Sequence, residues 1–141
     1  MKIKEILTPG PKYVSPDATL VAAAENMKSG NVGILPICEN DILIGTVTDR
    51  DITVRAVAEG RNPYTTKVRD VMSSKVIYCF GDQTIEDAAE MMAKSKIRRL
   101  PVLDGNNRLV GIISIGDLAA RAHQNELAGR TLAAVVARDG H

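Results

Sequence analysis

The sequence is written twice. An offset of 65 residues lays Ile3-Lys4-Glu5-Ile6-Leu7 on Val68-Arg69-Asp70-Val71-Met72, with the order of charges kept. The same offset puts Tyr13 on Tyr78, Asp17 on Asp82, Thr19 on Thr84, Met27 on Met92 and Leu35-Pro36 on Leu100-Pro101. Ala23-Ala24-Glu25 falls on Ala88-Ala89-Glu90. One residue inserted near Asn106 moves the offset to 66, and Gly45 and Asp51 then meet Gly111 and Asp117. A register held across both halves restricts the fold to two copies of one supersecondary unit. A unit of about 60 residues buries only about 60% of its chain surface and is marginal alone, so the copies are expected to pack on each other, sheet to sheet.

Each copy reads β-α-β-β-α. A short extended piece (Tyr13-Val14; Ile77-Tyr78-Cys79) leads to Asp17-Ala18-Thr19 or Asp82-Gln83-Thr84, residue types that open helices. Leu20, Ala23, Ala24 and Met27 then form one apolar face, repeated by Ile85, Ala88, Ala89 and Met92. Gly33 to Cys38 and Arg99 to Leu103 are strands that carry a proline, which predicts edge positions or strand ends. Asn40-Asp41 and Asp104 to Asn107 are hairpin turns, and Ile42–Val47 and Leu109–Ile113 are the returning strands. The boundaries are copy one at 1–60, a linker at 61–66 entered through the Gly60/Pro63 break, copy two at 67–123 and a tail at 124–141. In the tail, Thr131 is expected to cap a helix running to Ala137, whose apolar stripe docks on this chain or on a partner.

The most informative words are Gly45-x-x-Thr48-x-x-Asp51 and Gly111-x-x-Ser114-x-x-Asp117, where an apolar strand runs into a helix. The free N–H groups and positive dipole end of a helix make such a turn an anion site, to which Thr48 or Ser114, at the first helical position, adds a hydroxyl. Asp51 and Asp117, one turn further in, suit a pair of vicinal hydroxyls such as a ribose. Gly45 and Gly111 admit a ligand or another chain segment close to the backbone. The same letters also spell a capping box, which satisfies orphan N–H groups and nothing else. Both readings stand at this level.

Other chemistry has little support. The net charge of +1 argues against general binding of nucleic acid or membrane surfaces. No apolar run approaches the ~18 residues of a membrane helix, so a cytoplasmic protein is expected. Cys38 and Cys79 sit in apolar runs and are expected as buried, reduced thiols. A zinc or redox role with His123 or His141 lacks a Cys-x-x-Cys or His-x-x-x-His spacing. The 2 histidines stand at the last residue of the second copy and at the end of the tail, and no base–nucleophile–orienter set can be assembled from them. Lys96, Arg98 and Arg99 form a basic run that is either a solvated face or a phosphate contact.

Two β-α-β-β-α copies, each with Leu-Pro-Ile/Val on one strand and Gly-x-x-Thr/Ser-x-x-Asp at a strand–helix turn, resemble a tandem pair of CBS domains, the Bateman module. The resemblance runs from about Ile3 to Ala122 and is to the small standalone bacterial members. It implies an α/β fold with pseudo-twofold packing of the copies. It also implies two clefts for adenine nucleotides or related adenosyl ligands, sensed without catalysis. Carried over, Thr48 with Asp51 and Ser114 with Asp117 hold phosphate and ribose, and Arg98 and Arg99 meet phosphates. Val14 and Cys79 lie beside the adenine. The first copy has Gly33 and Ile34 in place of the two arginines, so the clefts are expected to differ in charge. The implied ligands are AMP, ADP or ATP, with S-adenosylmethionine or NAD as further candidates, and no cofactor is required. A homodimer through the Ala-rich stripes and the Ile52, Val54, Val57 helix is expected, with an unidentified regulated protein as a further partner. The rival readings are a stress-related interaction module with vestigial clefts, and a metal or redox sensor using Cys38 and Cys79.

Overall fold

The computed structural model describes residues 1–137, and their order of elements is mixed α/β. A 3-10 turn at Ile3–Glu5 is followed by β1 (Thr8–Pro9), α1 (Leu20–Gly30), β2 (Ile34–Glu39), β3 (Ile42–Thr48) and α2 (Asp49–Ile52). A second 3-10 turn at Val68–Asp70 precedes β4 (Cys79–Phe80), α3 (Ile85–Ser95), β5 (Arg99–Leu103), β6 (Leu109–Ser114), α4 (Ile115–Ala120) and α5 (Asn125–Val136).

The long helices begin where the hydroxyls are. Thr19 accepts from the Ala22 N–H, and Thr84 forms a full capping box with Asp87. Both helices end on a non-glycine residue in the left-handed region, Asn31 at φ 51° and Lys96 at φ 55°. The first hairpin turns through Asn40 and Asp41, both at positive φ (53° and 66°), the signature of a two-residue type I′ turn. The second uses Asp104, whose carboxylate accepts from the Asn106 and Arg108 N–H groups and closes a longer loop around the inserted residue.

The described chain divides into two compact units whose limits differ from those of the sequence copies. One is continuous, Lys12–Val76; the other joins Met1–Pro11 to the chain from Ile77 onward. In the continuous unit the antiparallel β2–β3 hairpin is flanked by two single-residue bridges, Val14 to Ile37 in parallel and Thr46 to Ser73 antiparallel. In the discontinuous unit the same plan is drawn out into a four-stranded sheet of order β1-β6-β5-β4. Thr8 and Pro9 there pair with Ile112 and Gly111, and Cys79 and Phe80 with Val102 and Leu103. Each returning strand is thus closed by the extended residues that follow the opening 3-10 turn of the other copy.

The prolines correct one expectation. Pro101 lies in β5, an interior strand, and pairs with Ile112. In the matching strand the Val14 N–H donates to Pro36 O and the Cys38 N–H to Val14 O. The missing proline N–H therefore faces the point where a parallel neighbour has only just begun, and no ladder bond is lost. The second helix of the first copy also departs from a plain α-helix: α2 passes directly into a π-helical segment at Thr53–Val57. Its counterpart α4 remains α-helical.

The tail folds onto its own unit. Helix α5 packs on α3 and α4 and buries Ala128, Thr131 and Val135. Thr131 is not its cap. It sits mid-helix, and its hydroxyl donates to Leu127 O at 2.7 Å, which satisfies it inside the core. Of the alanine stripes, Ala23, Ala88 and Ala89 are spent within the units, joining core clusters with Leu20 and Met27, and with Ile85 and Met92, respectively, whereas Ala24, expected on the apolar face, is exposed. Val54 and Val57 remain exposed. No described helix is long and apolar enough to cross a membrane.

Candidate functional site

The two strand–helix turns are superimposable in their hydrogen bonding. Thr48 and Ser114 are N-cap residues with extended backbone, one position ahead of the first helical residue. The Asp51 N–H donates to the Thr48 hydroxyl and the Thr48 N–H to Asp51 Oδ2, both at 2.9 Å. In the second turn the Asp117 N–H donates to Ser114 Oγ at 3.1 Å and the Ser114 N–H to Asp117 Oδ2 at 2.9 Å. The capping box is therefore formed in both copies, and one oxygen of each carboxylate is committed to it.

The other oxygen faces an arginine that the sequence reading passed over. Arg55 Nε lies 3.9 Å from Asp51 Oδ1, and Arg121 Nε lies 3.7 Å from Asp117 Oδ1. The carboxylate side chains are only 17% and 12% exposed, so these contacts are less screened than surface pairs. Each guanidinium also donates to backbone carbonyls of the closing segment: Arg55 to Val71 O and Met72 O, and Arg121 to Leu7 O. Thr8 Oγ1 adds a long contact of 3.5 Å to Asp117 Oδ1. The signal was available, since both arginines stand four residues after the aspartate, on the same helical face.

The glycines serve the chain. A Cβ on Gly45 would lie 2.7 Å from Ser73 O, and one on Gly111 would lie 2.6 Å from Leu7 Cδ1 and 2.7 Å from Thr8 O. The space beside both glycines is filled by the closing segments. The reading in which a ligand approaches there is thereby replaced.

Arg98 and Arg99 are exposed and stand beside the second turn. Arg99 pairs in register with Ser114, and the Ile115 N–H donates to Arg98 O. Ile34 and Gly33 take these two places beside Thr48 and Asp49. The candidate adenine-side residues Val14 and Cys79 are buried, at 5% and 0% exposure. Tyr78 and Phe80, on either side of Cys79, are exposed and meet edge to face with ring centroids 5.6 Å apart. Such aromatic faces suit stacking with a planar ligand.

The thiols belong to the cores. Burial pushes Cys38 up to about 11 and Cys79 up to about 12, and Cys79 Sγ sits 3.7 Å from Pro101 O. Among the described residues no group of three or more His, Cys, Asp and Glu side chains could hold a metal ion. His123 is exposed at φ 54°, and His141 lies outside the described residues. Because the folded state keeps both thiols protonated above their ordinary value of 9.0, their contribution to stability is complete below pH 9. It is expected to fall as the pH rises from there through the raised values of about 11 and about 12. Denaturant titrations at pH 8 and pH 10.5 check this, with Cys79→Ser as the variant in which the fall should shrink.

The family model described as CBS domain matches residues 3–57 and again 68–123. The chain belongs to the CBS-domain family, as a tandem pair. The CBS domain-containing protein YhcV of Bacillus subtilis is 44% identical over 130 residues, which span 92% of this chain and 91% of that protein. The crystal structure of Hypoxic Response Protein I, with two coordinated zinc ions, matches at 33% identity and a TM-score of 0.76, covering 86% of this chain and 98% of that one. The crystal structure of CBSX2 in complex with AMP matches at 26% identity and a TM-score of 0.75, covering 89% and 98%.

Proposed function

We propose that the chain is a regulatory module that senses adenine nucleotides or related adenosyl ligands at its two Gly-x-x-Thr/Ser-x-x-Asp turns, by binding and without catalysis. The observation that carries the reading is the duplicated, partly buried carboxylate at each turn, joined in the second copy by Arg98 and Arg99. A carboxylate held one turn inside a helix start accepts from vicinal hydroxyls, and a basic pair beside it accounts for phosphates. The AMP complex of the related CBSX2 supports the ligand class. The capping role of Asp51 and Asp117 is compatible with this, because the Oδ1 atoms face arginine side chains and not the helix backbone. We read the assembly as a homodimer through the exposed Val54 and Val57 face, so that ligand state at Thr48 reaches the partner through the helix it caps.

Thermal unfolding against AMP, ADP, ATP, NAD and S-adenosylmethionine, with light scattering on the same samples, tests the reading. A true ligand at 100 times its dissociation constant should stabilise the fold by about 2.7 kcal/mol. Replacing both Arg98 and Arg99 with alanine should weaken ATP more than adenosine. A flat panel would discard the sensor reading, and a monomer mass with and without ligand would discard the dimer. Zinc gave the comparison structure its metal, so zinc alone belongs in the panel; stabilisation by zinc and by no adenosyl compound favours the metal-sensor alternative.

A further inference from the structure

The two turns differ at one matched pair of positions. Gly33 and Asp49 stand in the first copy where Arg98 and Ile115 stand in the second. The backbone contact is the same in both: the Asp49 N–H donates to Gly33 O at 2.9 Å and the Ile115 N–H to Arg98 O at 3.1 Å. A Cβ built on Gly33 would lie 3.3 Å from Asp49 Cγ and 2.9 Å from its Oδ2, the second closer than real Cβ atoms approach. The Asp49 carboxylate therefore covers the place from which the Arg98 side chain departs in the other copy. A bond from the Arg50 N–H to Asp49 Oδ1, at 2.8 Å, keeps it at the turn. One turn carries a cation and an apolar neighbour at this pair; the other carries an anion opposite a glycine.

On the adenosyl reading above, we infer that Asp49 is a specificity-determining residue that directs the first turn to adenosyl ligands without phosphate. Those are nucleosides and their thioether or sulfonium derivatives; phosphorylated nucleotides go to the second turn. A phosphate brought to the Thr48 hydroxyl meets a fixed like charge, which specificity can use as well as it uses an added attraction. A sulfonium meets an opposite one. Arg50 lies on the same turn, where the second copy has Gly116, and offsets part of this charge. It is the carboxylate oxygen, however, that rests against the Gly33 backbone. Asp49 is itself exposed, so the discrimination is modest, on the order of tenfold.

Calorimetry on the full chain with adenosine, 5′-methylthioadenosine and ATP tests this. The wild type should bind two molecules of adenosine or methylthioadenosine, but ATP at one site about tenfold more tightly than at the other. Asp49→Asn should narrow the gap between the ATP sites and leave adenosine unchanged, which a change in helix capping alone would not do. Gly33→Arg asks only that the exposed Asp49 carboxylate turn aside, so it should leave stability nearly unchanged and strengthen ATP at the weaker site. Combined with Asp49→Ile it should bind ATP at two sites of similar affinity. Two equal ATP sites in the wild type, or an unchanged ATP-to-adenosine preference in Asp49→Asn, overturn the inference while leaving the adenosyl reading in place. Failure of the wild type to bind either adenosine or ATP overturns that reading and the inference together.

Discussion

Gly111→Val is expected to cost about 3 kcal/mol of stability, from the upper part of the range for overpacked sites. The first carbon added at Gly111 meets Leu7 Cδ1 at 2.6 Å and Thr8 O at 2.7 Å, and the second of these is backbone that cannot rotate away. Relief requires that Thr8 and Pro9 leave β6, which opens their pairing with Ile112 and Gly111. Gly45→Val should behave alike, since its neighbour is Ser73 O at 2.7 Å. Against a total stability of about 5–15 kcal/mol, a loss of this size moves the denaturation midpoint visibly. Gly116→Ala is the control, because its added Cβ meets only Ser114 Oγ at 3.5 Å in a helix that gains from alanine. Equal midpoints for Gly111→Val and Gly116→Ala would show that the closing segment is not held against the sheet.

Asp117→Ala is expected to lower stability by about 2 kcal/mol in the absence of any ligand. About half of that is the lost cap, as the Ser114 N–H loses its acceptor. The remainder comes from Arg121, left beside Leu7 O without its partly buried partner. Asp51→Ala should lose a similar amount through Thr48 and Arg55. The ligand effect must be read separately, as affinity of the folded variants. If the carboxylates hold ribose, adenosine affinity falls on the order of tenfold to a hundredfold per site, while a 2′,3′-dideoxy analogue barely changes. Loss of stability with no loss of adenosine affinity would reduce both residues to caps.

These two predictions mark where the sequence was legible and where it was not. The capping boxes at the strand–helix turns were legible, because Thr48 to Asp51 and Ser114 to Asp117 span three residues. The role of the glycines was open between ligand and chain, and only the position of Thr8 and Ser73 decided it. Arg55 and Arg121 were overlooked because half of what they do lies far away in sequence: Arg121 reaches Leu7 across 114 residues. Thr131 was misread as a cap because a lone threonine before an apolar run looks the same from the sequence whether its hydroxyl faces a helix start or, as here, the preceding turn of its own helix.

By itself the sequence determined the long helices, the two hairpins and their duplication, but not the short strand β1 at Thr8–Pro9. Caps at Thr19 and Thr84, the Asn40-Asp41 turn and the apolar faces of α1 and α3 depend on backbone and side-chain groups a few residues apart, and a linear reading reaches those. Only the tertiary structure decided which extended residues close which sheet, why an interior strand tolerates Pro101, and that α5 covers α3 and α4. Those outcomes are choices among partners of similar hydrophobicity and similar reach. They are settled by close fit, such as a missing Cβ at Gly111 or a missing N–H at Pro101 where the neighbouring strand begins, and periodicity carries no record of them.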